Sequence, residues 1–154
     1  SDGNEQTYNY ALKDLKVGDM PQFSILTGLT LSLNEDATVQ LTHRYYARNY
    51  ADWSPTSREY SNESDADRYS TWQAPAYGVL DLNASYDLPF ELGGASATVV
   101  LNVRNLFDEV YVQDATDNSR YNAVPFRVNS HRANAAEVFL GMPTSFNLGL
   151  KVNF

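Results

Sequence analysis

Two carboxylates stand side by side at Asp108 and Glu109, and paired carboxylates are common equipment for general acid–base chemistry. Adjacent residues of an extended chain point to opposite faces, so these two cannot share a reacting atom. Asn105 and Asp108 suit local bonds from side chain to backbone, and Phe107 and Tyr111 suit wall positions. The only histidines, His43 and His131, lie far apart, and there is no cysteine and no G-x-S-x-G nucleophile motif. No catalytic set is assembled, and the chain is not expected to be an enzyme. The segment from Asp52 to Gln73 offers binding chemistry instead. Trp53, Arg58, Tyr60 and Trp72, with Tyr69 and Arg68 between them, combine flat aromatic faces with charge. Such residues stack on a sugar ring or a siderophore, and they equally pack loop on loop. Asn62, Glu63, Asp65 and Asp67 supply the oxygens calcium accepts, but not at EF-hand spacing. Neither a metal site nor a cofactor is expected.

The chain has 154 residues, the size of one ordinary domain. Its 11 Lys and Arg against 19 Asp and Glu give a net charge of −8. That balance argues against a nucleic-acid partner, which calls for a basic patch. No apolar run reaches the ~18 residues of a transmembrane helix. No leader-like segment opens the chain, and Ser1 replaces an initiator Met. A mature, processed or fragmentary chain is the expectation.

Candidate residues need elements to hold them, and the dominant pattern has period two, which belongs to strands. Phe146, Leu148, Leu150, Val152 and Phe154 alternate with Asn147, Gly149, Lys151 and Asn153. Leu80, Leu82, Ala84, Tyr86 and Leu88 alternate with Asp81, Asn83, Ser85 and Asp87. Val99, Leu101 and Val103 alternate with Val100, Asn102 and Arg104. Over 22–33, Phe23, Ile25, Leu29, Leu31 and Leu33 share a face that Thr27 interrupts. Over 37–49, Val39, Leu41, Tyr45 and Ala47 oppose Thr38, Gln40, Thr42, Arg44 and Tyr46. His43 falls on the apolar face and reads as a local exception rather than a ligand.

These five strands are long beside the roughly 5–6 residues of a typical soluble strand, and they match the roughly 9–11 tilted residues that cross a bilayer core. A barrel wall turns its apolar face to lipid and its polar face to a watery lumen. Arg44, Asp81, Asn83, Arg104 and Lys151 would face that lumen. The connections alternate too. Asn34–Asp36 and Pro89–Gly94 are short, whereas Tyr50–Ala76 and Val112–Met142 are long and polar. Short turns on one rim and long loops on the other are the outer-membrane pattern. With the short turns periplasmic, 1–20 lie at the outer rim as a loop or small hairpin arm. Tyr45, Tyr46, Tyr50, Tyr77, Tyr86 and Tyr111, near strand ends, are candidates for an aromatic girdle. Five strands cannot close a transmembrane barrel, so a piece of a larger or multi-part barrel is expected.

Four segments carry a family resemblance. Asn105-Leu106-Phe107-Asp108-Glu109-Val110-Tyr111 resembles the NLFD-x-x-Y segment near the end of TonB-dependent outer-membrane receptors, and Thr144 to Phe154 resembles their last strand, which ends on an aromatic. Ala74 to Tyr86 resembles the preceding barrel strand, and Leu15 to Gln22 resembles the stretch leading into an earlier one. The segments occur in the family's order. Pro143 is followed by Thr144, where the family commonly carries Arg.

The resemblance implies that residues 1–154 are the C-terminal portion of a roughly 22-stranded antiparallel transmembrane β-barrel, without the N-terminal plug domain. It implies an outer-membrane active-transport receptor that imports a siderophore, cobalamin or glycan with TonB-delivered energy. The implied partners are outer-membrane lipid, the TonB–ExbB–ExbD complex acting through the missing N-terminal part, a possible surface lipoprotein, and the barrel assembly machinery, which would read Phe154. The alternative is a passive porin or adhesin barrel without a plug.

Overall fold

A computed structural model of the chain describes residues 7–10, 12–55, 71–90, 93–117 and 136–153. Among them the architecture is all-β with antiparallel pairing and no α-helix. The chain divides into two compact units.

The larger sheet belongs to the unit formed by 23–47, 76–111 and 141–154. It contains β1 (Phe23–Ser32), β2 (Ala37–Ala47), β5 (Tyr77–Asp87), β6 (Ser96–Arg104) and β9 (Ser145–Asn153), in the spatial order β1-β2-β5-β6-β9. All five strands expected from the alternation are present, with 9 to 11 residues each. Two short turns set the hairpin registers. At the β1–β2 turn the Leu33 N–H donates to the Ala37 carbonyl at 2.8 Å, and Asn34 Oδ1 accepts from the Asp36 N–H at 3.0 Å. At the β5–β6 turn Gly93 and Gly94 take φ of 64° and 85°, a region that favours glycine.

Paired residues of adjacent strands share a face. The register therefore carries the alternation across all five strands. Thr30, Gln40, Asn83, Asn102 and Asn147 form one polar row across the sheet. Leu29, Leu41 and Leu82 lie in register on the opposite face, beside Val103 and Phe146. Thr27 and His43, the two interruptions of the apolar face, are directly paired.

No second layer covers the apolar face among the described residues. Phe146 is 74% exposed, Leu148 70% and Leu29 53%. The hydrophobic residues that are buried are Ala51, Ala74, Ala95, Ala97, Ala115 and Val79. A Leu or Phe side chain gains roughly 1.5–3 kcal/mol on leaving water, and here the large side chains have not taken that gain.

The other unit, 1–22, 48–75 and 112–140, takes in most of the two long connections. Their flanks pair as hairpin stalks. β3 (Asn49–Tyr50) pairs with β4 (Gln73–Ala74), and β7 (Val112–Asp117) pairs with β8 (Ala136–Leu140) around an irregularity between Val112 and Asp114. Asp52 and Thr116 form a parallel bridge, in which the Asp52 N–H donates to the Ala115 carbonyl and the Asp117 N–H to the Asp52 carbonyl, each at 2.7 Å. Gly18 lies against this bridge. A Cβ there would come within 2.5 Å of Asp52 Cα, so the approach needs glycine. Within 7–10 and 12–20 no strand forms, and Tyr10 takes part in a β-bridge.

Candidate functional site

The five-stranded sheet gathers charge on its polar face. Arg44 on β2 and Asp81 on β5 belong to neighbouring polar rows, and the Arg44 Nη2 donates to Asp81 Oδ2 in a salt bridge. Asp81 Oδ1 accepts from the Asn105 N–H at 3.0 Å, so both carboxylate oxygens are engaged. Arg44 Nε is buried without a partner. Asn83, Asn102 and Asn147 lie in one cross-strand row beside this pair, and Arg104 closes the end. Together with Val103 these residues line an open recess of about 530 Å³.

Four of the five residues expected to face a lumen, Arg44, Asp81, Asn83 and Arg104, thus share one recess. Lys151 is on the same face but opposite Thr98, farther along the sheet. Asn102 and Asn147 complete the recess. Their parity in the alternation marks them as polar-face residues, but only the register aligns them with Asn83. With one anion, Asp81, and two cations, Arg44 and Arg104, the recess is formally positive within an acidic chain.

The recess is bounded by a hydrogen-bonded turn. Asn105, 4% exposed, takes φ of 50°, which asparagine adopts more readily than most residues. Its Nδ2 donates to the carbonyls of Glu109 at 2.9 Å and Met142 at 3.0 Å, and its Oδ1 accepts from the Glu109 N–H at 2.9 Å. The Asn105 carbonyl accepts from the Thr144 hydroxyl at 2.6 Å, and Asp108 Oδ1 accepts from the Thr144 N–H at 2.9 Å. Asn105 and Asp108 therefore act on backbone, as their types suggest, and they tie the end of β6 to the entry of β9. Phe107, expected at a wall position, is 77% exposed.

Three tyrosines from separate segments stack in this unit. Tyr46 and Tyr77 are 5.3 Å apart between ring centroids, and Tyr77 and Tyr111 are 4.3 Å apart and nearly parallel. Such pairs are worth about 0.5–1.5 kcal/mol beyond burial. Tyr46 and Tyr77 are paired on the face that carries Arg44 and Asp81, so this stack does not lie on the apolar face, where a girdle would sit.

The aromatic binding candidates belong to the other unit. The Trp53 indole N–H donates to the Lys16 carbonyl at 2.9 Å, a contact of loop with loop. The Trp72 carbonyl accepts from the Ala51 N–H at 2.9 Å. Arg58 and Tyr60 lie outside the described residues, as do Asn62, Glu63, Asp65, Asp67 and Phe154. Among the described residues no cluster of three or more His, Cys, Asp or Glu has the geometry to hold a metal ion.

Asp19, Asp52 and Asp114 form an acidic group in the same unit. The Asp52 carboxylate, then burial, then Asp114 raise the Asp19 carboxyl above its ordinary range. The cause lies in the backbone: Gly18 brings Asp19 to Asp52, and the bridge to Thr116 brings Asp114.

The site and fold define an all-β chain with an open, two-faced antiparallel sheet. No protein-family model, no curated protein and no solved structure matches it.

Proposed function

We propose that the chain is the C-terminal wall of an outer-membrane active-transport receptor of the TonB-dependent type. One observation carries the reading: a single-layered sheet of long strands leaves large aliphatic and aromatic side chains exposed along one face while charged and amide side chains occupy the other. In water that apolar face would be a large association surface. In a bilayer it is the side turned to lipid.

Three further features agree with the reading. The strand lengths suit a tilted crossing. The short turns fall at one end of the sheet and the long connections at the other. The turn from Asn105 to Asp108, which carries the family resemblance, is a hydrogen-bonded structural element. In this reading the recess of Arg44, Asp81, Asn83 and Arg104 faces the lumen, where it meets the plug or the ligand path. Import of the scarce ligand, of siderophore, cobalamin or glycan class, belongs to the complete barrel and plug driven through TonB.

The test starts with the native protein that contains this chain, extracted from outer membranes. Its mass should be several times 17 kDa, and its gel mobility should change on boiling, as for a closed barrel. Uptake of its ligand should cease when TonB is deleted. Uptake that persists without TonB would mark a passive porin, and a native mass near 17 kDa would contradict the receptor reading.

A further inference from the structure

The recess on the polar face holds more binding capacity than the fold itself uses. Asn83, Asn102 and Asn147 come from three adjacent strands and stand side by side in one row. Neighbouring strands lie roughly 4.8 Å apart, so the row is about 10 Å long. Each amide offers a carbonyl acceptor and an NH2 donor, and none is hydrogen-bonded to another described residue. Arg104 has no carboxylate partner among the described residues. Arg44 gives one N–H to Asp81, and its Nε–H meets no acceptor. The next row along the sheet holds Ser85, Val100 and Gly149, side groups too short to cover the amides.

The charge selects an anion. Two cations against one anion leave a formal surplus of one positive charge, which suits a carboxylate better than a doubly charged phosphate. Asp81 repels a second negative charge, and both its oxygens are already engaged, by Arg44 and by the Asn105 N–H. The amides select hydroxyls. A simple anion only accepts hydrogen bonds, so three Asn carbonyls facing it would stay unpaired, whereas a hydroxyl donates to a carbonyl and accepts from an NH2. Water alone would satisfy the amides, but it calls for no surplus of positive charge. The recess volume of about 530 Å³ falls within the roughly 300–1,000 Å³ of small-ligand sites.

We propose that the recess is a binding subsite for a carboxylated sugar, whose carboxylate pairs with Arg104 beside Arg44 and whose hydroxyls bond to Asn83, Asn102 and Asn147. Its role as imported cargo rests on the barrel reading, which turns this face to the lumen. Arg104 ends β6 and Ser145 begins β9, so the recess lies at the end of the sheet that carries the long connections. In that reading this is the outer end, where a ligand arrives. Beyond Arg44 the same face continues into stacked Tyr46 and Tyr77, so phenol rings border that side.

The native full-length protein, purified in detergent from outer membranes, would be titrated calorimetrically with four probes: a disaccharide carrying one glucuronate, the methyl ester of that disaccharide, acetate and inorganic phosphate. The glucuronate disaccharide should bind about tenfold or more tighter than its ester, as a charge-assisted hydrogen bond allows. Acetate and phosphate should bind more weakly than the disaccharide. Arg104→Gln should bring the acid down to the affinity of the ester, and Asn102→Leu should weaken both. A diazirine-bearing form of the disaccharide maps the site without any substitution. Its labels should fall within 81–104 and 145–153.

Equal affinity for acid and ester, a preference that survives Arg104→Gln, acetate or phosphate binding as tightly as the disaccharide, no binding at all, or labels confined to other peptides would each overturn the subsite. The barrel is scored separately, by the change in gel mobility on boiling. The change without glucuronate binding keeps the barrel and loses the subsite, and binding without the change does the reverse.

Discussion

The ring of Tyr111 covers Gly141 so closely that a Cβ on Gly141 would lie 1.9 Å from its Cζ. The Gly141 N–H also donates to the Tyr111 carbonyl at 2.9 Å. A residue just before β9 thus seats the tyrosine that continues the Tyr46–Tyr77 stack.

Gly141→Ala should therefore destabilise the fold by about 1–3 kcal/mol, the usual range for overpacking. In a Tyr111→Ala background the same change should cost much less, because the ring is the obstacle. Urea or thermal unfolding of the four variants measures the coupling. An equal cost in both backgrounds would mean that the ring does not rest on Gly141.

Asn105 separates backbone from side-chain effects. Asn105→Gly keeps the positive φ accessible and removes the bonds to Glu109 and Met142. Because buried backbone groups lose their partners, the loss should be about 2–4 kcal/mol, built from roughly 1–3 kcal/mol for each group left unsatisfied. Asn105→Asp keeps an acceptor for the Glu109 N–H but sets a buried carboxylate oxygen against the carbonyls of Glu109 and Met142, so it should cost more than glycine at pH 7. The order of unfolding midpoints checks it; aspartate at or above glycine contradicts it.

Arg44 and Asp81 should behave as a pair. Arg44→Met or Asp81→Asn alone leaves a partly buried group without its partner. Each should cost about 1 kcal/mol, a figure reduced because the Arg44 side chain is 38% exposed. The double variant should cost less than the sum of the two single changes. Strict additivity in a double-mutant cycle would show that the contact contributes nothing.

The five long strands are legible in the sequence because residues such as Leu148 and Leu150 repeat with period two along the whole strand. β3, β4, β7 and β8 are not. They are short and paired across long intervals, and β8, with Val138, Phe139 and Leu140 in a row, does not alternate, so neither period nor turn chemistry marks them. Within the recess, parity puts Arg44, Asp81, Asn83 and Arg104 on one face. The salt bridge itself depends on how β2 meets β5, and a long connection joins those strands, so no short turn fixes their register. The buried position of Asn105 has a local signal in its residue type, but its partners Met142 and Thr144 come from a distant segment. Trp53 illustrates the opposite case: its type suggests a ligand, and its indole N–H is engaged by Lys16.

The acidic group in the other unit gives a pH dependence. The Asp19 carboxyl, raised by Asp52, by burial and by Asp114, holds its proton to higher pH in the native state than in the unfolded chain, whose ordinary value is 3.8. A native state that binds more protons loses relative stability as pH rises from 3.8 through the raised value. Asp19→Asn should thus raise the unfolding midpoint at pH 7 and leave it nearly unchanged at pH 3. An equal effect at both pH values would assign the change to something other than charge.

The central claim is that the apolar face of the sheet lies in lipid. Nitroxide labels placed one at a time from Phe146 to Val152, in the native protein in bilayers, test it most directly through their collisions with oxygen and with a water-soluble nickel chelate. Phe146, Leu148, Leu150 and Val152 should collide with oxygen and not nickel. Asn147, Gly149 and Lys151, on the polar face, should show the reverse or be shielded from both. If the four apolar positions are protected from oxygen as well as nickel, protein covers that face, and the membrane wall is wrong.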